Sequence, residues 1–353
     1  MPQLHDIPLP LPAPVIVLKV MLVFFFLIHI LFVEMMVGAS VLCSFFQWKG
    51  MKSKDKFMDN VAYEIAKSIT VNKSMAVVMG VGPLLMINVT YTIFFYSSSS
   101  LIGYGWISVI PLVIVAFLLT YLHQYAWEWF EAHKKWHLSV IILATLLFLI
   151  IPFFFLTNTN LMWFPTIWDK IHGFFSALFF PNIFARYFFF LFSCLTTTSL
   201  FLHWLFKRKM ANNEFVPSQK EEGEDLLHYF VKISVFALAG QAIFGVVVVI
   251  TAPTPGLSSN LIPYLLLTIL FFASGYMILF KRFIQKQPLS TQTFNIVCSL
   301  LLTSVLFGGI LRHTYRENAL HPHIENMKRN TEIYEKKVKE AQKKYGIKDY
   351  KYE

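Results

Sequence analysis

The residues best able to do chemistry in this sequence sit where lipid tolerates them least. His29 and Glu34 lie inside the apolar run from Pro14 to Phe46, which reads VIVLKVMLVFFFLIHILFVEMMVGASVLCSFF after the proline. A helix rises about 1.5 Å per residue and needs about 20 apolar residues to cross a hydrocarbon core, so this run spans with both groups well inside. An ionisable side chain at that depth costs several kcal/mol unless it faces protein, and so marks a ligand, a proton path or a cofactor. Glu34 follows His29 by five residues, about 140° around a helix, so the two face different neighbours. Glu34 is therefore a candidate buried proton or polar site, while Lys19, near the start of the run, can snorkel to the interface.

The chain has eleven histidines. Those within or at the ends of apolar runs are His29, His123, His137, His203, His228 and His313. His29 lies fifteen residues past Pro14 and His123 seventeen past Trp106. These offsets place the two at similar depth, where facing imidazoles can hold a b-type heme by its axial positions. The alternative is a hydrogen bond from each ring to a backbone carbonyl or a buried carboxylate. His137, His203 and His228 fall at span ends and read as wet, structural imidazoles. Asn88 and Gln241 are polar groups able to bond between helices. Cys43, Cys194 and Cys298 lie far apart in apolar runs, and no CxxCH or CxxC occurs. That excludes covalently attached c-type heme and leaves the thiols as buried apolar groups.

Positioning these residues takes a membrane bundle. Of 353 residues, 56% are hydrophobic and 14% charged, with a mean hydropathy of +0.57, which no water-soluble domain of this size shows. Eight apolar segments are long enough to span, near 15–46, 75–96, 106–130, 138–157, 183–206, 229–251, 261–281 and 291–311. The expected fold is an all-α polytopic membrane protein of two four-helix bundles, 15–157 and 183–311. The stretch MPQLHDIPLPLPAP lacks the basic flank and cleavage site of a secretory signal, so the first run is expected to be retained as a helix.

The connectors orient it. The first, QWKGMKSKDKFMDNVAYEIAKSITVNK, holds six lysines, and the third, fifth and seventh (EAHKKWH, FKRKMANNEFVPSQKEEGED, KRFIQKQP) are also basic. The second (YSSSSLIGYG), the fourth (158–182) and the sixth (TAPTPGLSSN) hold almost no Lys or Arg. The positive-inside rule then puts the basic connectors in the cytoplasm and both termini, 1–14 and 312–353, outside. The stretch 158–182, broken by Pro165 and by Asp169 with Lys170, reads as a Trp-rich segment lying in the outer interface. Residues 321–345 read as a charged helix with Glu332 and Lys336, and Glu335 and Lys339, at helical spacing. That tail is either solvated or a dock for an acidic extracytoplasmic partner.

Several motifs together resemble subunit I of the cytochrome bd-type quinol oxidases: HILFV in the first span, GVGPLLMIN from Gly80 in the second, the start of the fourth span after KKWH, and GGILRHTYR at the end of the eighth. In that family the first-helix histidine ligates an active-site heme, and His29 matches it. A late helix there carries a glycine pair, a heme-ligating glutamate and an arginine three residues on. Here Gly308 and Gly309 precede His313 and Arg316, so the resemblance makes His313 a second ligand candidate, and Arg312 with Arg316 candidate contacts for heme propionates or a quinone head group.

The sequence also departs from the family. Asn88 stands in place of a second-helix glutamate, 107–127 holds no carboxylate, Arg186 and Tyr187 occupy the region of the low-spin heme histidine, and TAPTPGLSSN is too short for the quinol loop. Oxygen reduction consumes protons, so a chain without these carboxylates is not expected to reduce oxygen. The expected function is a membrane subunit of a respiratory electron-transfer complex in the bacterial inner membrane. It would pass electrons between the quinone pool and a cytochrome c-type partner through heme b, with His29, His313 and His123 as ligand candidates. Two alternatives stand beside it: a heme-free scaffold anchoring a redox complex, and a transporter using Glu34 and Lys19, which the lack of evident inverted repeats disfavours.

Overall fold

The computed structural model describes residues 11–217 and 219–345, with the side chains of 71–74 left aside. Most of the N-terminal segment 1–14 and the tail end 346–353 lie outside the described residues. Ten α-helices form among those described, and no strand. Eight helical segments are long and apolar enough to cross a membrane, and the chain is a multi-pass membrane protein.

The first helix, α1 (Val15–Ser53), is about 58 Å long at 1.5 Å per residue and runs far past its apolar stretch. Lys54 closes it in the left-handed region (φ 53°), and the Asp55 carboxylate then caps α2 (Lys56–Thr90) by accepting from the N–H groups of Phe57 and Met58. The lysine-rich first connector is therefore a helical hairpin rather than a loop. Val61, Ala62, Ile65, Ala66 and Ile69 recur at helical spacing and are buried, while the charges are paired off this face. Glu64 takes Lys67 and Lys209, and Asp59 takes Lys134.

The serine-rich second connector is also helical: α3 (Thr92–Ile102) is stopped at Gly103 (φ 37°) before α4 (Tyr104–Tyr125) begins. Its serines satisfy themselves on the preceding turn, Ser98 and Ser99 donating to the Phe95 carbonyl. The same two hydroxyls grip Asn158 of α5 (Lys134–Trp163). The helix α5 continues to Trp163, so the interfacial segment starts later than 158. It consists of a 3-10 turn opened by Pro165 and the short α6 (Phe174–Leu178).

The second half contains α7 (Ile183–Ala211), α8 (Lys220–Ile250), α9 (Ile262–Ile284) and α10 (Thr291–Tyr345). At 55 residues α10 runs unbroken through the charged tail. The 311/312 boundary is thus a change in composition within one helix about 82 Å long. Its polar continuation is held by the end of the bundle: Tyr315 donates to the Pro253 carbonyl (2.6 Å), and Ala319, Leu320 and Met327 bury against Trp163, Phe164 and Tyr91.

The helices α1, α2, α4 and α5 pack as one group and α7–α10 as the other, and α1 touches both. The seam is close: a Cβ on Gly38 of α1 would stand 2.2 Å from Thr198 Oγ1 and 2.3 Å from the Cys194 carbonyl oxygen of α7. Small and hydroxyl residues let these backbones meet where lipid supplies no hydrophobic drive between helices. The face where α1 begins is called the N-terminal face below, and the other the lysine-rich face.

Candidate functional site

His29 looks at α2. Its Nδ1 donates to the Ala76 carbonyl (2.9 Å), and its ring lies on Gly80, where a Cβ would come within 2.8 Å of Cε1. A carbonyl only accepts, so Nδ1 carries the proton and Nε2 keeps the lone pair. Among the described residues Nε2 has no hydrogen-bond partner. This is the arrangement of a metal-ligating imidazole, whose second nitrogen is usually held by a carbonyl or carboxylate. On the donor chemistry, His29 fits a heme iron.

His313 does not join it. Leu27 lies against Gly309, and Lys19 pairs with Glu317, which sets α1 and α10 antiparallel with His313 opposite Val23. His29 is six residues deeper, about 9 Å, and about 200° around α1 from Leu27, the residue that meets α10. Two axial ligands must reach one iron from opposite sides, and this pair does not. Arg316 Nη2 also donates to His313 Nδ1, so the lone pair of that ring is already engaged.

His123 is not at the depth of His29 either. It sits in the last turn of α4 and its Nε2 donates to Gln47 Oε1 (2.9 Å), eighteen residues or about 27 Å beyond His29 along α1. Similar offsets from the outer span ends place the two together only if both helices start at one level, whereas α1 overshoots the bundle and α4 has only 22 residues. Gln47 Nε2 donates in turn to His137 Nδ1 (2.7 Å), and His137 Nε2 donates to the His123 carbonyl (2.8 Å). The ring of bonds closes with the imidazoles stacked at 4.1 Å. Gln47 and His123 are 0% exposed and His137 1%, so His137 is a buried group and not the wet one expected. His203, also buried, donates Nδ1 to the Leu227 carbonyl (3.2 Å) and stacks on Phe294. His228 alone of the three is half-buried, stacked on Phe283.

Glu34 faces α7, accepting from Ser193 Oγ (2.6 Å) and Thr197 Oγ1 (2.7 Å) at the seam beside Gly38. Among the described residues Asn88 Oδ1 is buried without a partner, and Gln241 is buried on α8 with no side-chain hydrogen bond. Neither makes the interhelical bond expected of it. Lys19 is bound to Glu317 instead of snorkelling freely, and it shares no path with Glu34, fifteen residues or about 22 Å deeper.

The N-terminal face holds a cluster the sequence signals only in part. Tyr91 donates to Glu317, the carboxylate that also takes Lys19. Arg316, 3% exposed, lies over the Tyr91 ring (4.6 Å). Arg312 lies over Phe26 (4.2 Å) and Trp163 (5.4 Å), and Arg186 of α7 over Trp163 (4.6 Å). In the sequence Arg186 stands out only as a departure from the family's histidine. Its signal was a cation one turn inside an apolar run, just after the Trp-rich segment.

No protein-family model and no curated protein matches the sequence. Among solved structures the chain is similar to the bd oxidase from Geobacillus thermodenitrificans, with a TM-score of 0.71 and 12% identity over 87% of this chain and 88% of that one. At that identity the likeness establishes the fold: this chain has the helical membrane architecture of a bd oxidase.

Proposed function

We propose that the chain is a membrane subunit of a respiratory electron-transfer complex in a bacterial inner membrane, with His29 as ligand of a b-type heme. The observation that carries this reading is the His29 imidazole, fixed by the Ala76 carbonyl with Nε2 left free, on a bd oxidase fold. A heme there would supply a one-electron centre. The protein's part is to hold Nδ1 protonated toward Ala76, so that Nε2 of this half-buried ring presents its lone pair. In this reading the basic connectors face the cytoplasm, quinone is the membrane-side redox partner, and a cytochrome c-type protein meets the N-terminal face. Oxygen reduction is not part of it, because Asn88 stands in place of the family's second-helix glutamate, 107–127 holds no carboxylate, and Glu34 is committed to Ser193 and Thr197.

A second reading is the heme-free scaffold. It is favoured by the engagement of the other imidazoles, His313 by Arg316 and His123 with His137 by Gln47. A reduced-minus-oxidised visible spectrum of the purified chain, with a pyridine hemochrome assay, decides. A b-type signal lost in His29→Ala supports the electron carrier, and a colourless protein made with heme available leaves the scaffold.

A further inference from the structure

The arginines of the N-terminal face carry more positive charge than the other described residues neutralise. Glu317 is the only carboxylate bonded into this cluster among the described residues, and it is shared by Lys19 and Tyr91. Among the described residues Arg186 finds only neutral acceptors, Asn160 Oδ1 (3.1 Å) and Thr159 Oγ1 (3.4 Å). Arg312 makes no hydrogen bond among the described residues, and the charges of Arg186 and Arg316 both act on it. Two fully buried donors here have no acceptor among the described residues, Arg316 Nε and Trp163 Nε1, on residues 3% and 4% exposed. Gathering three guanidiniums, Arg316 buried and Arg186 and Arg312 half-buried, is costly unless an anion joins them.

We infer that Arg186, Trp163, Arg312 and Arg316 form a binding site for a phosphate-type anion, with the guanidiniums as charge partners and the two orphaned N–H groups as its remaining donors. Arginine forks suit the oxygens of a phosphate. The depth suits a lipid headgroup: Trp163 ends α5 and Arg186 lies one turn inside α7, so the cations stand at the level where two spans meet the interface. The aromatic planes of Phe26 and Trp163 hold the Arg312 guanidinium, which keeps it ordered without a protein carboxylate. The sources of such a group are an anionic phospholipid and free phosphate. None of its residues bonds His29, so the site does not depend on that ligand; Arg312 and Arg316 are also the candidates for heme propionates, and the heme arm of the test below separates the two uses.

The test is thermal unfolding of the full chain in a neutral detergent, with phosphatidylglycerol, phosphatidylcholine or inorganic phosphate added at matched ionic strength. Phosphatidylglycerol should raise the Tm of the native chain by several degrees and phosphatidylcholine should not, because a ligand stabilises the state that binds it. Arg186→Gln and Arg312→Gln should each cut that shift to less than half. In phosphatidylcholine alone they should melt no lower than the native chain, since each removes an uncompensated cation. If inorganic phosphate reproduces the shift, the site stands with a soluble ligand; if only the lipid acts, the ligand is the headgroup. Should either glutamine variant fold poorly, Trp163→Phe, which keeps the ring and loses the N–H, is read by the same shift and by counting lipid adducts in native mass spectrometry. A shift that survives all three substitutions, or no shift with either anion, overturns the proposal. Heme content measured on the same samples is the remaining arm: heme lost in step with the lipid shift would give the cations to porphyrin carboxylates and overturn it too.

Discussion

Gly38 of α1 and Thr198 of α7 meet with no room for a methyl group between them: a Cβ on the glycine would stand 2.2 Å from Thr198 Oγ1. The backbone behind the hydroxyl is equally near, at the Cys194 carbonyl, so rotating the threonine does not relieve the clash. Gly38→Ala must therefore part α1 from α7, the seam between the two four-helix groups. A destabilisation of about 1–3 kcal/mol or more is expected for overpacking of this kind. Gly308→Ala is the contrast, since its nearest foreign atom is 3.8 Å away; replacing that helical glycine should be neutral or gain up to about 1 kcal/mol. Thermal unfolding of both variants in detergent checks the pair, and equal melting points would refute the seam geometry.

Glu34 sits four residues before Gly38 and is bound to Ser193 and Thr197, with no cation among its hydrogen-bond partners. If its role is to tie the seam, Glu34→Gln should lose only about 1 kcal/mol, one hydroxyl turning to accept from the new amide. Glu34→Leu strands both hydroxyls, although each can fall back on a carbonyl one turn earlier in α7, and should cost about 1–3 kcal/mol. A Glu34→Gln variant of native stability that stops electron transfer would instead reveal a proton-carrying carboxylate.

These contacts show what the sequence discloses and what it withholds. The spans were legible because lipid demands long apolar runs, and α1, α7 and α9 start within two residues of where their apolar runs begin. Connectors were less so. SSSS reads as a loop because serine favours turns, yet in α3 the hydroxyls fold back on Phe95 and grip Asn158, contacts visible only once α5 is in place. Depth was the least legible property. Counting from span ends paired His29 with His123, because nothing local to α1 says that it overshoots α4 and carries Gln47 to the lysine-rich face. Arg186 and Trp163 are 23 residues apart in sequence, and only the turn through Pro165 and α6 brings them together.

Gly80 is the residue that lets α2 approach the His29 ring. In Gly80→Ala the new methyl must displace the imidazole, which is held by a carbonyl one turn away at Ala76. If His29 binds heme, this variant should lose much of the b-type absorbance or shift its bands while the helix content stays native. Visible spectra beside circular dichroism report the two separately. An unchanged spectrum in a heme-loaded protein would place the heme away from His29.

Gln47 closes the bond ring of His123 and His137 and is wholly buried. Gln47→Leu keeps the volume and removes both partners, leaving the His123 Nε2–H and the His137 Nδ1 lone pair unsatisfied. Two such groups cost about 2–6 kcal/mol together. Gln47→Glu retains an acceptor for His123, but its other oxygen meets an acceptor nitrogen unless His137 takes a proton. It should therefore unfold at a lower temperature than native but above Gln47→Leu at mildly acid pH. The reverse order would show that the ring is held by packing against Trp127 and Phe130 rather than by its hydrogen bonds.

The end of α10 is the last element with a testable role. Met327 is its final buried residue, and the eighteen described residues beyond it, about 27 Å of helix, carry Lys328, Arg329, Lys336, Lys337, Lys339, Lys343 and Lys344 against Glu332, Glu335 and Glu340. Such a segment adds little to the fold, so a chain ending at Met327 should melt within about 0.5 kcal/mol of the full chain. Its net positive charge suits an acidic partner, which in the proposed complex is a c-type cytochrome approaching the N-terminal face. Binding of an acidic cytochrome c to the full chain should be measurable at low salt and fade as salt screens the charges, and the shortened chain should lose that salt-sensitive part. Equal binding by both chains at low salt would remove the tail from the interface and return the partner's contact to the arginine cluster or the connectors.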